Sequence, residues 1–420
     1  MIHASVLLHA NLLYAEIPIR SIETVVENSY MPILELLKRR PGYRAVLNFS
    51  GFTLELLSGE HPEIYRGSPE ALDLLRDCIA GGKVELTGTS WSHAILPLMP
   101  DWLQEMDVAL CARTIFRLLE YRPVGFFPPE LGISPLLPAM LGNAGYRWSF
   151  FDRDFLAMTE GGQLNAFNDF EPIPPSFTKR TAEVKQRGLI PRLRHMAGIM
   201  RHLRESRDFS PIDWIGAGGG RIAAYGCDTA WTSYALICLS RQALLSEKRL
   251  IGTIRRILRS PVRGLFIPYS SDIEFYGFGG NTIKDPIPVS RLETLMDALC
   301  GDPRLELTLP TEYLEKTDSP LNASYLKAGS WSSDRNFDLW EREPDNRILN
   351  RQSGEASELY RRRLKGMSPE EDLDLLKSLL LSYNSDGRGW TPLPEHRLFC
   401  LDKALEVKRR LAGREGGGSL

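Results

Sequence analysis

The sequence predicts a parallel α/β barrel of seven strands, covered by helices and followed by a helical C-terminal region. Short apolar runs alternate with amphipathic stretches through the first three quarters of the chain, a pattern typical of buried parallel strands that alternate with helices. Seven such runs within roughly 300 residues favour a barrel over an open doubly wound sheet. No GxGxxG follows the first run, which removes the main argument for a dinucleotide-binding fold.

The apolar runs predict the positions of the seven strands, which are Ile2–His9, Arg44–Phe49, Lys83–Thr87, Pro123–Phe127, Trp148–Phe151, Arg221–Tyr225 and Arg263–Pro268. The segments between them have the 3.6-residue period of amphipathic helices. One of them is SIETVVENSYMPILELLKRR, and another is SPEALDLLRDCIAGG. The second is expected to begin at an N-cap, Ser68, and to end at its glycine pair.

From about residue 311 the pattern changes to helical segments, and we expect no strand there. EASELYRRRLKGMSPEEDLDLLKSLLLSYNSD and PEHRLFCLDKALEVKRRLA both have a helical period. The predicted organisation is a catalytic barrel over residues 1–310, a C-terminal helical domain over 311–413 and a flexible tail at 414–420.

The composition excludes several classes of protein. The 420 residues carry a formal net charge of -2, which argues against nucleic acid as the main partner. No run approaches the roughly 18 apolar residues of a membrane span, and the apolar start has no basic n-region, so it is interpreted as a strand rather than a signal peptide. The six cysteines contain no CxxC pair, so we expect reduced thiols in a cytoplasmic protein without a metal or cofactor. The oligomeric state stays open.

One interior segment, residues 177–207, is strongly basic and lies between the fifth and sixth predicted strands. Its simplest interpretation is a solvated helical excursion. The alternative is a mobile lid, or a patch that contacts an anionic group of the substrate.

Polar side chains follow the predicted strands at the end where the loops of a parallel barrel converge on one mouth. They include His9, Asn11 and Tyr14 after the first strand, Trp91 and His93 after the third, Glu130 after the fourth, Asp152 after the fifth, and Asp272, Glu274 and Tyr276 after the seventh. Carboxylates, imidazoles and aromatic rings in one place are typical of a sugar-binding site, because hydroxyl groups need polar partners and the C–H face of a sugar stacks on rings. Trp340 and Trp390 are further stacking candidates, with a core role as the alternative.

Glu130 closes the run GFFPPE, which places a carboxylate at the end of a rigid apolar stretch. Retaining cleavage of a glycosidic bond needs two carboxyl groups about 5 to 5.5 Å apart, with pKa values pushed apart so that one is ionised and the other protonated. In a closed barrel Asp272 is the expected partner of Glu130. The alternatives are that Glu130 pairs with an arginine, that Asp272 caps the following helix and that His9 is a core residue.

Four blocks of the sequence resemble glycoside hydrolase family 57. These are LLHANLLY, GGKVELTGTSWSHAILPLMP, GFFPPELGIS and YSSDIEFYGFGG, and two C-terminal stretches, FDLWEREPDNR and LLLSYNSDGRGW, resemble its helical region. The resemblance implies a distorted (β/α)7 barrel and retaining chemistry on α-linked sugars, with no cofactor. It makes Glu130 the nucleophile and Asp272 the acid/base, and it places His9, Glu85 and His93 around the sugar.

The chain departs from the family pattern where Asn11 replaces a second histidine, Leu13 a proline and Phe278 a frequent histidine. The expected function is a retaining glycoside hydrolase acting on α-linked oligo- or polysaccharides. The alternatives are an α-glucanotransferase or branching enzyme with the same site, a zinc-dependent enzyme like the polysaccharide deacetylases, and a non-catalytic carbohydrate-binding protein.

Overall fold

The computed structural model describes residues 1–159, 201–203, 205–241, 245–280, 283–317, 321–332, 335–363, 368–389 and 392–412. Most of the basic segment at 177–207, Trp390 and the predicted tail lie outside the described residues.

All seven predicted strands are confirmed, six of them within one or two residues at each end, while the seventh extends four residues beyond its predicted end at Pro268. The strands of the described residues are β1 (Ile2–Ala10), β2 (Ala45–Phe49), β3 (Val84–Thr87), β4 (Gly125–Phe126), β5 (Trp148–Asp152), β6 (Asp208–Phe209), β7 (Ile212–Ile215), β8 (Arg221–Cys227), β9 (Arg263–Asp272), β10 (Leu305–Leu307) and β11 (Asn322–Tyr325). The seven predicted strands are β1 to β5, β8 and β9.

These seven strands run parallel in the spatial order β9-β1-β2-β3-β4-β5-β8. Between β3 and β4 the ladder is reduced to a parallel bridge of Gly88 with Phe126, in which Gly88 N–H donates to the carbonyl of Gly125 at 2.8 Å. A glycine is required at 125 because a Cβ there would lie 2.0 Å from the indole ring of Trp148. The parallel arrangement predicted from the apolar runs is thus confirmed.

The expectation of a closed barrel is wrong for the described part of the chain, because no ladder joins β8 to β9. The first half of β8 instead pairs on that edge with β7, antiparallel, from Ile215↔Arg221 to Ile212↔Ala224. Since β5 occupies the other edge of β8, this half of β8 has no edge left for β9. The upper ends approach through side chains, with the hydroxyl of Ser270 3.5 Å from Sγ of Cys227. We call this opening the β8–β9 seam.

Helices cover the strands in the predicted alternation. Those of the barrel region are α1 (Ile22–Val25), α2 (Met31–Arg39), α3 (Gly51–Ser58), α4 (Pro69–Ala80), α5 (Asp101–Leu119), α6 (Leu137–Asn143), α7 (Asp154–Thr159), α8 (Thr229–Leu239), α9 (Glu247–Ile257) and α10 (Val289–Cys300). A π-helical turn at Val26–Tyr30 joins α1 to α2. Ser68 precedes α4 as predicted, but its side chain makes no capping hydrogen bond; the hydroxyl interacts with Tyr65 instead.

The C-terminal part contains α11 (Pro310–Lys316), α12 (Asp338–Glu341), α13 (Pro344–Arg363), α14 (Pro369–Ser382) and α15 (Pro394–Ala412). The two helical segments predicted there are confirmed. The expectation of no strand after residue 311 is wrong, because β11 pairs parallel with β7. The sequence of β11, NASY, is short and largely exposed, so it lacks the apolar pattern by which strands are recognised. The domain boundary at 311 stays a prediction.

A buried ionic network attaches α14 to the barrel. Glu55 in α3 is 1% exposed and accepts hydrogen bonds from Lys377 of α14 at 2.7 Å, from His61 at 3.0 Å and from the indole of Trp91 at 3.1 Å. In the described residues, no helix combines the length and apolarity needed to cross a membrane.

Candidate active site

A cavity of about 270 Å³ opens at the carboxyl ends of the parallel strands. Glu130, which follows β4, and Asp272, the last residue of β9, both line it. Four other predicted site residues, His9, Tyr14, His93 and Trp340, line the same cavity. The structure therefore brings together six of the residues that the sequence indicates.

The backbone at Glu130 adopts a conformation that few side chains tolerate. Glu130 has φ 57° and Leu131 has φ 46°, both in the left-handed region that favours glycine. Pro128 and Pro129 restrict the chain just before this turn. Such strain costs of the order of 1–3 kcal/mol per residue, persists only where the surrounding structure holds it, and is concentrated at functional sites. The proline run thus fixes the direction in which the carboxylate points.

Two donors from the C-terminal part hold the carboxylate of Glu130. The indole N–H of Trp331 donates to Oε2 at 2.5 Å, and the hydroxyl of Ser385 donates to Oε1 at 3.0 Å. No arginine pairs with Glu130 within the described ranges, so the structural ion pair considered from the sequence is not found there.

Burial raises the pKa of Glu130 and the nearby charge of Asp386 adds to this, whereas His93 and the two donors favour the ionised form and offset part of the effect. The main influences on the pKa of Asp272 all raise it. Burial raises its pKa well above the usual range, and the charges of Glu274, Glu130, Glu16 and Asp386 all act in the same direction. The surroundings of the two carboxyl groups therefore differ, because His93 and two donors offset part of the rise in pKa at Glu130 whereas acidic neighbours add to the rise at Asp272.

Asp272 stands beside His9 in the ladder of β1 and β9. It precedes the short 3₁₀ helix Ile273–Phe275, but its side chain makes no capping hydrogen bond. The capping role considered from the sequence is therefore not observed, and the carboxyl group faces the cavity instead.

Glu274 lies behind Asp272 and is fully buried. Its Oε1 accepts the backbone N–H of Asn11 at 2.8 Å and the hydroxyl of Tyr30, while Oε2 has no hydrogen-bond partner. Burial raises the pKa of Glu274 to about 7, against the lowering effect of its two donors.

Asp386 is one of the site residues that sequence reasoning missed, with Trp331 and Ser385. It follows α14 in a buried turn and lines the cavity. Its Oδ2 accepts a hydrogen bond from Nδ2 of Asn11 at 2.6 Å and lies 3.1 Å from Nδ1 of His93. Its Oδ1 accepts a hydrogen bond from the backbone N–H of Ala15 at 3.0 Å. The available signal was the polar stretch SYNSDG between two helical segments, whose burial the sequence does not show.

His93 also has a positive φ, 58°, and is 4% exposed. Its Nδ1 contacts Ser385 Oγ at 2.9 Å as well as Asp386, and its buried Nε2 has no hydrogen-bond partner. Burial lowers the pKa of His93, but the carboxylates of Asp386 and Glu130 outweigh this and the net pKa is raised. The raised pKa of His93 therefore favours a positive charge beside Glu130.

His9 has the opposite protonation state. Burial and the neighbouring His93 lower its pKa to about 3, so the ring is neutral. It stacks on His93 with centroids 4.8 Å apart and on Phe127 at 5.4 Å, and its Nδ1 hydrogen bonds to Oδ1 of Asn48 at 2.7 Å.

Comparison with known proteins gives a family match for part of the chain. Residues 7–182, which include Glu130, match the sequence model of glycosyl hydrolase family 57. Residues 7–182 belong to glycosyl hydrolase family 57. The match confirms the family that the four sequence blocks indicate.

The fold of nearly the whole chain is similar to that of solved structures. The structure superposes on the 4-alpha-glucanotransferase from Thermococcus litoralis with a TM-score of 0.69 at 18% identity, covering 97% of this chain and 60% of the other. It superposes on a GH57-type branching enzyme from Pyrococcus horikoshii with a TM-score of 0.68 at 13% identity, covering 96% and 88%. At these identities the likeness concerns the fold, and it confirms the distorted (β/α)7 barrel class.

Relatives found by sequence align with a smaller part of the chain than the solved structures do. Alpha-amylase 1 of Dictyoglomus thermophilum is 26% identical over 131 residues, which are 31% of this chain and 18% of the amylase. The aligned part therefore spans less than a fifth of that relative's length.

Three residues predicted from their positions after the strands lie away from the cavity. Tyr276 is fully buried and packs on Tyr269 at 5.9 Å. Asp152 accepts the hydroxyl of Thr229 at 2.8 Å and forms an ion pair with Arg335. Trp91 is buried against Phe52 with its N–H on Glu55.

Glu85 and Asn11 also stand apart from the cavity lining. Glu85 lies in the second position of β3, opposite Val46, and its carboxylate accepts the backbone N–H of Thr311 at 3.2 Å. It therefore connects β3 to α11. Asn11 sits behind the lining, between Glu274 and Asp386.

A metal ion could be held by His93, Glu130 and Asp386, whose potential ligand atoms lie within 4.8 Å of one another. Each of them already has a hydrogen-bond partner in this group or in Trp331 and Ser385. Ion binding would have to displace these bonds.

Proposed function

We propose that the protein is a retaining glycosidase for α-linked sugars, with Glu130 as nucleophile and Asp272 as general acid/base. The observation that carries the proposal is that these two carboxyl groups line one cavity in unlike surroundings. Glu130 accepts hydrogen bonds from two donors and lies near His93, whose pKa is raised, whereas Asp272 is surrounded by carboxylates that favour its protonated form.

In the first step, a carboxylate oxygen of Glu130 attacks the anomeric carbon. The bond from that carbon to the leaving-group oxygen breaks, and Asp272 transfers its proton to this oxygen. In the second step Asp272, now a carboxylate, takes a proton from water, and the resulting hydroxyl adds to the anomeric carbon as Glu130 departs. The sugar thereby keeps its configuration.

The surrounding residues support both steps. Trp331 and Ser385 orient Glu130 from opposite oxygens, which reduces the entropy lost on reaching the transition state. Nε2 of His93, which is buried and has no protein partner, is available to donate a hydrogen bond to a sugar hydroxyl. Trp340 and Tyr14 supply rings in the cavity wall.

Similarity to amylases, a glucanotransferase and a branching enzyme also supports a carbohydrate substrate. Transfer to a sugar hydroxyl shares the same glycosyl-enzyme intermediate and differs only in which acceptor intercepts it.

The nucleophile can be tested with Glu130→Gln. We expect the variant to fold and to lose at least about 10³-fold in turnover of an activated aryl α-glycoside, because the attacking charge is gone. Glu130→Ala should regain activity with azide and release a glycosyl azide. Glu85→Gln is the matched control, since it removes a buried carboxylate outside the cavity. Near-normal turnover by Glu130→Gln would refute the assignment.

A further inference from the structure

The cavity extends beyond the two carboxyl groups into the β8–β9 seam. Cys227 at the end of β8 and Ser270, Ser271 and Asp272 at the end of β9 border the seam and line the cavity. Beyond them the wall is formed by α8, which follows β8. β7 pairs only with the first half of β8, and no ladder joins the second half of β8 to β9 in the described residues, so backbone pairing does not fill this space.

One face of α8 points to this extension. Thr229, Thr232, Ser233, Leu236 and Ser240 are the partly exposed residues from Thr229 to Ser240, and all of them line the cavity. Their spacing of three, one, three and four residues places them on one helix face. The small side chains on this face leave the space open.

On this helix face only the hydroxyl groups of Thr232 and Ser233 are available to a ligand. The hydroxyl of Thr229 already donates to Asp152 at 2.8 Å, and that of Ser240 donates to the carbonyl of Leu236 at 2.7 Å. Leu236, Ile237 and Phe275 contribute apolar surface, and no charged residue stands on the cavity-facing side of α8. A surface of this kind binds apolar groups better than the hydroxyls of a second sugar ring.

The chemistry of the proposed reaction indicates what lies there. The general acid protonates the leaving-group oxygen, so the leaving group must lie beside Asp272. Asp272 borders the seam. Nε2 of His93, buried and unpartnered in the same cavity, supplies a polar contact for the sugar ring near Glu130.

We propose that the α8 face is the subsite for an apolar aglycone, and that the preferred substrates are α-glycosides of aryl or medium-chain alkyl alcohols. This rests on the proposed function and specifies its substrate class. The same subsite would favour such alcohols over a sugar as acceptors of the glycosyl group.

The test compares three substrates of one sugar, the α-glycosyl fluoride, the hexyl α-glycoside and the α-linked disaccharide, with glucose and galactose examined in parallel. Fluoride is too small to reach α8 and needs no acid. Ser233→Trp fills the extension, so kcat/KM for the hexyl glycoside should fall by about tenfold or more while that for the fluoride changes less than about twofold. Lys248→Trp, an exposed position on α9, is the control for added bulk.

Leu236→Ala provides a second variant that enlarges the subsite. It should shift the preference from hexyl toward longer alkyl glycosides without changing fluoride turnover. Equal losses on the fluoride and the hexyl glycoside in Ser233→Trp, or a wild-type preference for the disaccharide over the hexyl glycoside, would overturn the inference while leaving the proposed function standing. Absence of fluoride turnover by the wild type would instead count against the proposed function itself.

Discussion

Asn11 and Asp386 lie 375 residues apart in the chain, and Nδ2 of Asn11 donates a hydrogen bond of 2.6 Å to Oδ2 of Asp386. The backbone N–H of the same asparagine donates to Glu274. Asn11 therefore connects the surroundings of Asp272 to those of Glu130, since Asp386 contacts His93 and His93 contacts Ser385.

Replacing Asn11 by leucine should lower kcat/KM by about 10- to 100-fold, because a hydrogen bond to a buried charge contributes about 1.5–3 kcal/mol. The N–H bond to Glu274 is retained in this variant. Asn143→Leu, at an exposed position ending α6, controls for the change of side chain. Unchanged kinetics would show that Asp386 needs no support from Asn11.

Trp331→Phe should move the acidic limb of the pH–rate profile to higher pH. The indole N–H stabilises the ionised form of Glu130, so its loss raises the pKa of a group that must be ionised to react. The measurement is kcat/KM as a function of pH. A limb that stays in place would exclude Glu130 as the group that titrates there.

Glu274→Gln should move the alkaline limb in the opposite direction, to lower pH. After burial, the charge of Glu274 is the largest cause of the raised pKa of Asp272, and Asp272 must be protonated to act as an acid. Glutamine keeps an oxygen for Asn11 and Tyr30, so geometry is largely preserved. An alkaline limb that moved upward would contradict the assignment of Asp272.

Glu55→Ala should destabilise the fold by about 3–5 kcal/mol, because it leaves the charge of Lys377 without its buried partner. Burial raises the pKa of Glu55, but His61 and Lys377 outweigh this and the net pKa is lowered. The stabilisation is therefore present above the unfolded-state pKa and is lost as the pH falls through the folded-state pKa. Urea unfolding at pH 7 and at pH 3 measures it. Glu35→Ala, on the exposed face of α2, should change stability by less than about 0.5 kcal/mol.

EDTA should leave turnover unchanged, whereas added Zn²⁺ should inhibit. His93, Glu130 and Asp386 form a set of ligands, and an ion bound there would occupy the nucleophile and break the contacts to Ser385 and Trp331. Activity lost to EDTA and restored by zinc would favour the zinc-dependent alternative. Zinc content measured on the purified protein provides an independent check.

The strands that could be predicted are those whose apolar runs are buried on both faces, such as β1 and β2. Strands β7 and β11 could not be predicted. The side chain of Asp213 in β7 pairs with Arg221 of β8 at the surface, and β11 is mostly exposed, so neither has a continuous apolar run. The pairing of these strands depends on contacts between distant segments. No periodic pattern in the sequence therefore predicts the β8–β9 seam.

For the site, the rule that polar residues gather at strand ends located Glu130 and Asp272. The rule could not predict Ser385 or Asp386, because these residues approach Glu130 and His93 from a turn after α14. The same rule wrongly places Asp152 in the cavity. The carboxylate of Asp152 instead accepts a hydrogen bond from Thr229 and forms an ion pair with Arg335. Which polar residues face the cavity depends on packing between distant segments.

The positions of Trp331, Ser385 and Asp386 have a consequence for biosynthesis. As the chain emerges from the ribosome, strands β1 to β9 appear before these three residues, so Glu130 acquires its two donors only when the C-terminal part folds onto the barrel. If Glu130 acts as proposed, we expect turnover to begin only after α14 has docked.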